Sequence, residues 1–196
     1  MLDFGPVRRH QTTLQEMAGG LTAADLAALT DEMCEVQLHL MAGIEDEDAV
    51  FVPDDPEADD TFAATPEEVH LPWTLAHVIT HTTASSEEQA ALALTLARGL
   101  EPAGRSRFEV PWREARSVAF LRERVEESRR MRRAMLEGWP GIPHLEVFHS
   151  TRPGGQLMNA AGRFLSGLAH DDSHLAQIEK VVAQARRARL GGGGSA

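Results

Sequence analysis

The chain has 196 residues, 42% of them hydrophobic, and a formal net charge of −11. That length suits one domain with its own core, and such acidity argues against a general nucleic-acid binder, whose contact face must be basic. No apolar run is long enough to span a membrane and "MLDFGPVRRHQTTLQ" lacks the core of a signal peptide, so the expected setting is cytoplasmic.

Cys34 is the single cysteine, which excludes an internal disulfide and a cysteine-based zinc finger. It lies among apolar residues of a helical stretch and reads as a packed thiol. Charge is segregated along the chain. No Lys or Arg occurs between Arg9 and Arg98, Glu45 to Glu68 is rich in Asp and Glu, and arginines concentrate from Arg98 to Arg133. Solvated faces are the expected reading, with an internal complement or a dimer contact as alternatives.

In chain order, "FGPVRRHQTTLQEMAGG" has room for a short helix. The first long helix opens at Thr22 as N-cap, carries Leu26, Leu29, Met33, Val36 and Leu40 at spacings of three and four, and closes at Gly43. An acidic connection from Glu45 to Leu71 follows, long enough to suggest a function of its own. The second helix starts at Thr74 and runs through Leu92 and Leu96 to Gly99. A third presents Val118, Leu121, Val125 and Met131 before Gly138 and Pro140. After "PGIPHLEVFHSTRPGG", where "LEVF" suggests a short extended piece, the fourth carries Leu157, Phe164, Leu168, Leu175, Ile178 and Val182. The expected fold is all-α: a four-helix bundle over residues 1–190 whose long connections permit more than simple up-and-down neighbours. Residues 191–196, "GGGGSA", read as a flexible tail.

Two histidine pairs stand at i, i+4 spacing, which puts both rings of a pair on one helical face. His170 and His174 lie in "HDDSHLAQIEK" on a stripe with Gly167 and Ile178; His77 and His81 lie in "WTLAHVITH". One such pair alone reads first as core histidines. Two pairs on different helices can converge, as metal sites in bundles do, on a borderline ion such as Zn²⁺, with Ni²⁺, Fe²⁺ or Mn²⁺ as alternatives. Three protein ligands would leave a position for water or substrate.

These residues resemble the DinB-like, damage-inducible metal-binding four-helix bundles, related to the N-terminal domains of mycothiol-dependent maleylpyruvate isomerases. Trp73 and Thr74 open the second helix with His81 eight residues beyond the Trp. The last helix carries His170, His174, Gln177 and Ile178 in the family order. The resemblance runs from about Thr22 to Arg189. It implies a metal held by His81, His170 and His174, a homodimer, and, since characterised relatives include thiol transferases, a low-molecular-weight thiol as co-substrate beside a small electrophile. His77 departs from the family, which often has Glu there completing a capping box; it reads as a fourth ligand, a base beside the metal, or a pocket wall. Glu88, two turns beyond His81, either reaches the site or is a surface carboxylate. One of Asp171, Asp172 and Gln177 is expected to orient an imidazole through its second nitrogen. Trp73 reads as a buried anchor. His10, His39, His144 and His149 have no partner at metal spacing, and His70 or His149 is at most a pocket residue.

A three-histidine metal can favour a reactive thiolate or a hydroxide nucleophile. Thiol transfer is the reading the resemblance favours. Metal-dependent hydrolysis with His77 or Glu88 as base, and a stress-associated metal-binding bundle without turnover, are the alternatives.

Overall fold

A computed structural model describes residues 2–60, 63, 65–104 and 107–192. Among these residues the chain forms α1 (Gly5–Arg8), α2 (Leu14–Met17), α3 (Ala23–Leu40), α4 (Asp46–Ala49), α5 (Leu75–Ala97), α6 (Val118–Glu137) and α7 (Ala160–Gly192). Short 3₁₀ turns lie at Pro66–Glu68 and Trp112–Glu114. No strand is present among the described residues; the one isolated β-bridge pairs His149 with Met158. The "LEVF" stretch begins as a turn, and the extended contact falls just after it, at His149.

The four long helices start where their polar caps stand. Thr22 Oγ1 accepts the Asp25 N–H at 3.2 Å while Asp25 accepts the Thr22 N–H at 2.9 Å, a complete capping box. Thr74 and Ser117 accept the N–H groups of His77 and Phe120, each at 3.2 Å. The fourth helix begins later than its apolar pattern suggested. Leu157 is 60% exposed, outside the helix, because Met158 is held in backbone exchange with His149 and Asn159 Oδ1 takes the Gly162 N–H at 3.2 Å. At its other end α7 reaches Gly192, so the helix includes the first two glycines of the tail; 193–196 lie outside the described residues.

The long helices form a ring in which α5 packs on α6 and α7, and α3 also packs on α6 and α7. Contacts set the directions. Asp31 meets Arg133 and Glu35 meets Arg129, so α3 and α6 are antiparallel; Glu87 meets Arg124 and Arg98 meets Gly138, so α5 and α6 are parallel. His81 faces His170 while Gln89 faces Arg163, so α5 and α7 are antiparallel. The bundle is therefore up-down-down-up, with the long connections closing its diagonals. The same contacts resolve the charge segregation: acids of α3 and α5 meet arginines of α6, and the acidic connection pairs Asp55 with Lys180 and Asp48 with Arg189. This is an internal complement.

Two large apolar clusters and a small one around Leu96, Ala97 and Ala160 fill the bundle among the described residues. One large cluster includes Leu38, Leu75, Ile79, Leu121 and Ile178, the other Leu26, Met33, Leu136, Phe164 and Leu165. Each such buried side chain contributes about 1.5–3 kcal/mol. Between them lies a polar layer with one residue from each long helix. Arg132 donates to Asp171 at 2.8 Å and to Cys34 Sγ at 2.9 Å, and Ser86 donates to the other Asp171 oxygen at 2.7 Å. Cys34 is fully buried, its thiol pushed up by burial against the pull of Arg132.

Candidate metal centre

The site sits where α5 and α7 cross beside this polar layer. Gly167 permits the approach: a Cβ there would lie 3.2 Å from the Ser86 Cα and the Gln89 Cβ. One and two turns of α7 further on, at His170 and His174, the helices present facing histidines. His81 Nε2 is 3.2 Å from His170 Nε2, and the ligand atoms of His81, His170 and His174 all lie within 4.8 Å of one another. Nitrogens bound about 2.05 Å from a tetrahedral zinc sit about 3.3 Å apart, so the spacing suits one ion without rebuilding the backbone.

Burial favours the neutral form of His81 and His170. Loss of water pushes His170 down to about 4, with His174 and Arg107 adding to the shift, and lowers His81 further still, with His170 and Arg107 as the next causes. Neutral imidazoles keep the lone pairs that a metal needs. His174 Nδ1 is 2.7 Å from Gln177 Oε1; an N–H donated to that oxygen fixes the ring and leaves Nε2 as its lone-pair nitrogen. Of the three residues expected to orient an imidazole, Gln177 does so. Asp171 is committed to Arg132 and Ser86, and Asp172 to Arg8.

His77 lies outside the three-ring group. It is clamped between Trp73, at 4.2 Å between ring centroids, and Trp112, at 5.0 Å, and burial lowers it to about 4 against the pull of Asp60 and Glu68. Arg113 caps this stack 4.2 Å above Trp112. His77 thus lines the cleft beside the three rings. Trp73 is half-buried and stacks at 5.9 Å on His174 as well, so it contacts the histidine group directly in addition to anchoring the helix start.

His81 and His170 open onto a cleft of about 940 Å³ between α5, α7 and residues that include Asp60, Glu68, Arg107 and Trp112, a size typical of small-molecule sites, while His174 lines a second, smaller cavity. Glu88 lines it and is 3% exposed, which removes the surface-carboxylate reading. Ser85, Arg163 and Ser166 lie along the same cleft. Arg107 and Glu109, which the helical pattern does not reveal, stand over His81: Arg107 Nη2 is 3.1 Å and Glu109 Oε2 is 3.8 Å from its Nδ1. Their signal was the alternation in "RFEV", which sends Arg107 and Glu109 one way and Phe108, 76% exposed, the other. His70, His144 and His149 lie apart: His70 holds the Ala58 carbonyl, His144 pairs with Glu146, and the His149 backbone bridges to Met158. His10 and His39 are exposed.

These features define a class: an all-helical bundle whose central pair of helices holds three histidines able to share one metal ion. A family model described as the DinB superfamily matches residues 29–178, and the chain belongs to that superfamily. No curated protein and no solved structure matched the chain. No helix among the described residues is long and apolar enough to cross a membrane.

Proposed function

We propose that the protein is a metal-dependent enzyme that transfers a low-molecular-weight thiol to a small electrophile, with His81, His170 and His174 holding a divalent ion. Zinc is the first choice, and nickel, iron or manganese the alternatives for the same nitrogen donors. The observation that carries the reading is the three-ring group at the edge of a cleft of about 940 Å³ that His81 and His170 line. Three nitrogen donors leave room for an incoming group, as catalytic sites do and closed structural sites do not. A bound divalent cation favours the anionic, reactive form of a thiol beside it. The chain's own residues do the rest. Gln177 orients His174, Trp73 and Trp112 exclude water from the stack around His77, and the cleft receives the electrophile. Cys34, buried behind Arg132, takes no part. Hydrolysis is the second reading, because the buried Glu88 carboxylate lines the same cleft. A homodimer, through the family resemblance, and a cytoplasmic setting belong to the proposal.

The test is metal analysis of the purified protein, followed by cobalt substitution and thiol titration. Thiol transfer requires that a small thiol perturb the cobalt spectrum and that a model electrophile be conjugated. Ester or amide turnover without thiol selects hydrolysis. Metal uptake with neither reaction leaves a metal-binding bundle without turnover.

A further inference from the structure

Among the described residues, Arg107 is the one guanidinium placed directly against the histidine group. A guanidinium only donates. Its Nη2 lies 3.1 Å from His81 Nδ1, so that nitrogen carries the lone pair and Nε2 carries the ring proton, pointing at His170 Nε2 3.2 Å away. This is the tautomer that cannot ligate through Nε2. For His81 to give its Nε2 lone pair to a metal, one proton must leave Nε2 and one must be taken up at Nδ1, the ring staying neutral. The new Nδ1–H then faces a donor. Glu109 Oε2, 3.8 Å from Nδ1, is the acceptor at hand, and Arg107 is already ion-paired to that carboxylate.

We propose that His81 exchanges Arg107 for Glu109 when the site is loaded, and that the released guanidinium becomes the group that receives a carboxylate or comparable planar anion of the ligand in the cleft. Arg107 lines that cleft and is held there by Ser85 Oγ, Glu109 and the His81 carbonyl, beside the three rings, whereas the other two guanidiniums there make their contacts away from the rings: Arg113 with Glu68 and the Trp112 ring, Arg163 with Gln89 and the His149 carbonyl. Charge points the same way. The described cleft residues bring Arg107, Arg113 and Arg163 against Asp60, Glu68, Glu88 and Glu109, a formal −1 that a divalent ion turns to +1. The loaded cleft therefore selects anions, and the metal-free cleft does not.

This inference rests on the reading that the three histidines take a metal, and its test separates the two. Zinc is titrated calorimetrically into the full chain and into Arg107→Gln and Glu109→Gln, and succinate and its neutral diamide are then titrated into loaded and metal-free protein. Glu109→Gln is expected to weaken zinc about 10–100-fold, as loss of a partner orienting a ligand does. Arg107→Gln is expected to tighten zinc. Loaded wild type should bind succinate at least about tenfold more tightly than the metal-free form or the diamide, and Arg107→Gln should lose that preference. Equal succinate affinity in loaded wild type and loaded Arg107→Gln overturns the role of Arg107 and leaves the metal reading standing, as does zinc affinity weakened alike in both variants. Wild type that takes up no zinc, nickel, iron or manganese overturns the metal reading and this inference with it.

Discussion

Arg132 Nη1 and Asp171 Oδ2 lie 2.8 Å apart at the centre of the bundle, on two helices that face each other across its axis. Both side chains are nearly inaccessible, at 2% and 1% exposed. Burial pushes the Asp171 carboxyl up, and Arg132 and Ser86 pull it back. Such a pair is costly to break and cheap to replace, because a charge left alone in the core loses both water and partner. Arg132→Met is therefore expected to destabilise the protein by about 3–5 kcal/mol in urea unfolding, while Arg132→Met combined with Asp171→Leu returns most of that loss. A single substitution costing under about 1 kcal/mol would mean that water reaches the layer.

That layer was invisible in the sequence, and the reason is geometric. Thr22, Thr74 and the spacing from Leu121 to Val125 are local signals, read within a turn or two of helix, so the four long helices were legible. So were the pairs His77 with His81 and His170 with His174, because i, i+4 spacing fixes a shared face before any tertiary contact; the choice of His81 as the partner of His170 and His174 came from the family resemblance. Arg132 and Asp171 stand 39 positions apart, and no local pattern ties one to the other until the helices are laid against each other. Leu157 misled because periodicity carries no penalty for a backbone already engaged with His149. Arg107, Glu109 and Trp112 belong to a segment without helical period, and their relation to His81 exists only once that segment folds over α5.

Gln37 offers a stability gain. It is 1% exposed among apolar residues of α3, and neither its amide nitrogen nor its amide oxygen has a hydrogen-bond partner. A buried polar group left unpaired costs about 1–3 kcal/mol, and methionine fills nearly the same volume without that cost. Gln37→Met is expected to raise stability by about 1–2 kcal/mol, seen as a higher urea midpoint at unchanged slope. A lower midpoint would show that the amide holds a water in the core.

Among the histidines, the expected order of effects on metal binding follows the contacts. His174→Ala should abolish tight uptake while circular dichroism keeps its helical signal, since the ring contributes to the site more than to the core. Gln177→Leu should weaken uptake about 10–100-fold, because His174 loses the acceptor 2.7 Å from its Nδ1. His77→Ala should keep full stoichiometry, its ring being held between Trp73 and Trp112. Unchanged metal content in His174→Ala, measured after dialysis, would remove that residue from the ligand set.

Acid should destabilise the metal-free protein through these same rings. His77 and His170 stand at about 4 in the folded chain, and His81 lower still, against 6.5 for a solvated histidine; burial is the leading cause in each. Between those values the unfolded chain binds protons that the folded chain refuses, so stability rises with pH across the window. It is complete above about 6.5 and is lost as pH falls toward about 4, with a slope of at most about 1.4 kcal/mol per pH unit for each histidine. His77→Gln removes one of these contributions without touching the three-ring group. The gap between urea midpoints at pH 7 and pH 5 should therefore be smaller in His77→Gln than in wild type. An equal gap in the two proteins would mean that His77 takes up its proton inside the folded stack, with Asp60 and Glu68 outweighing the loss of water.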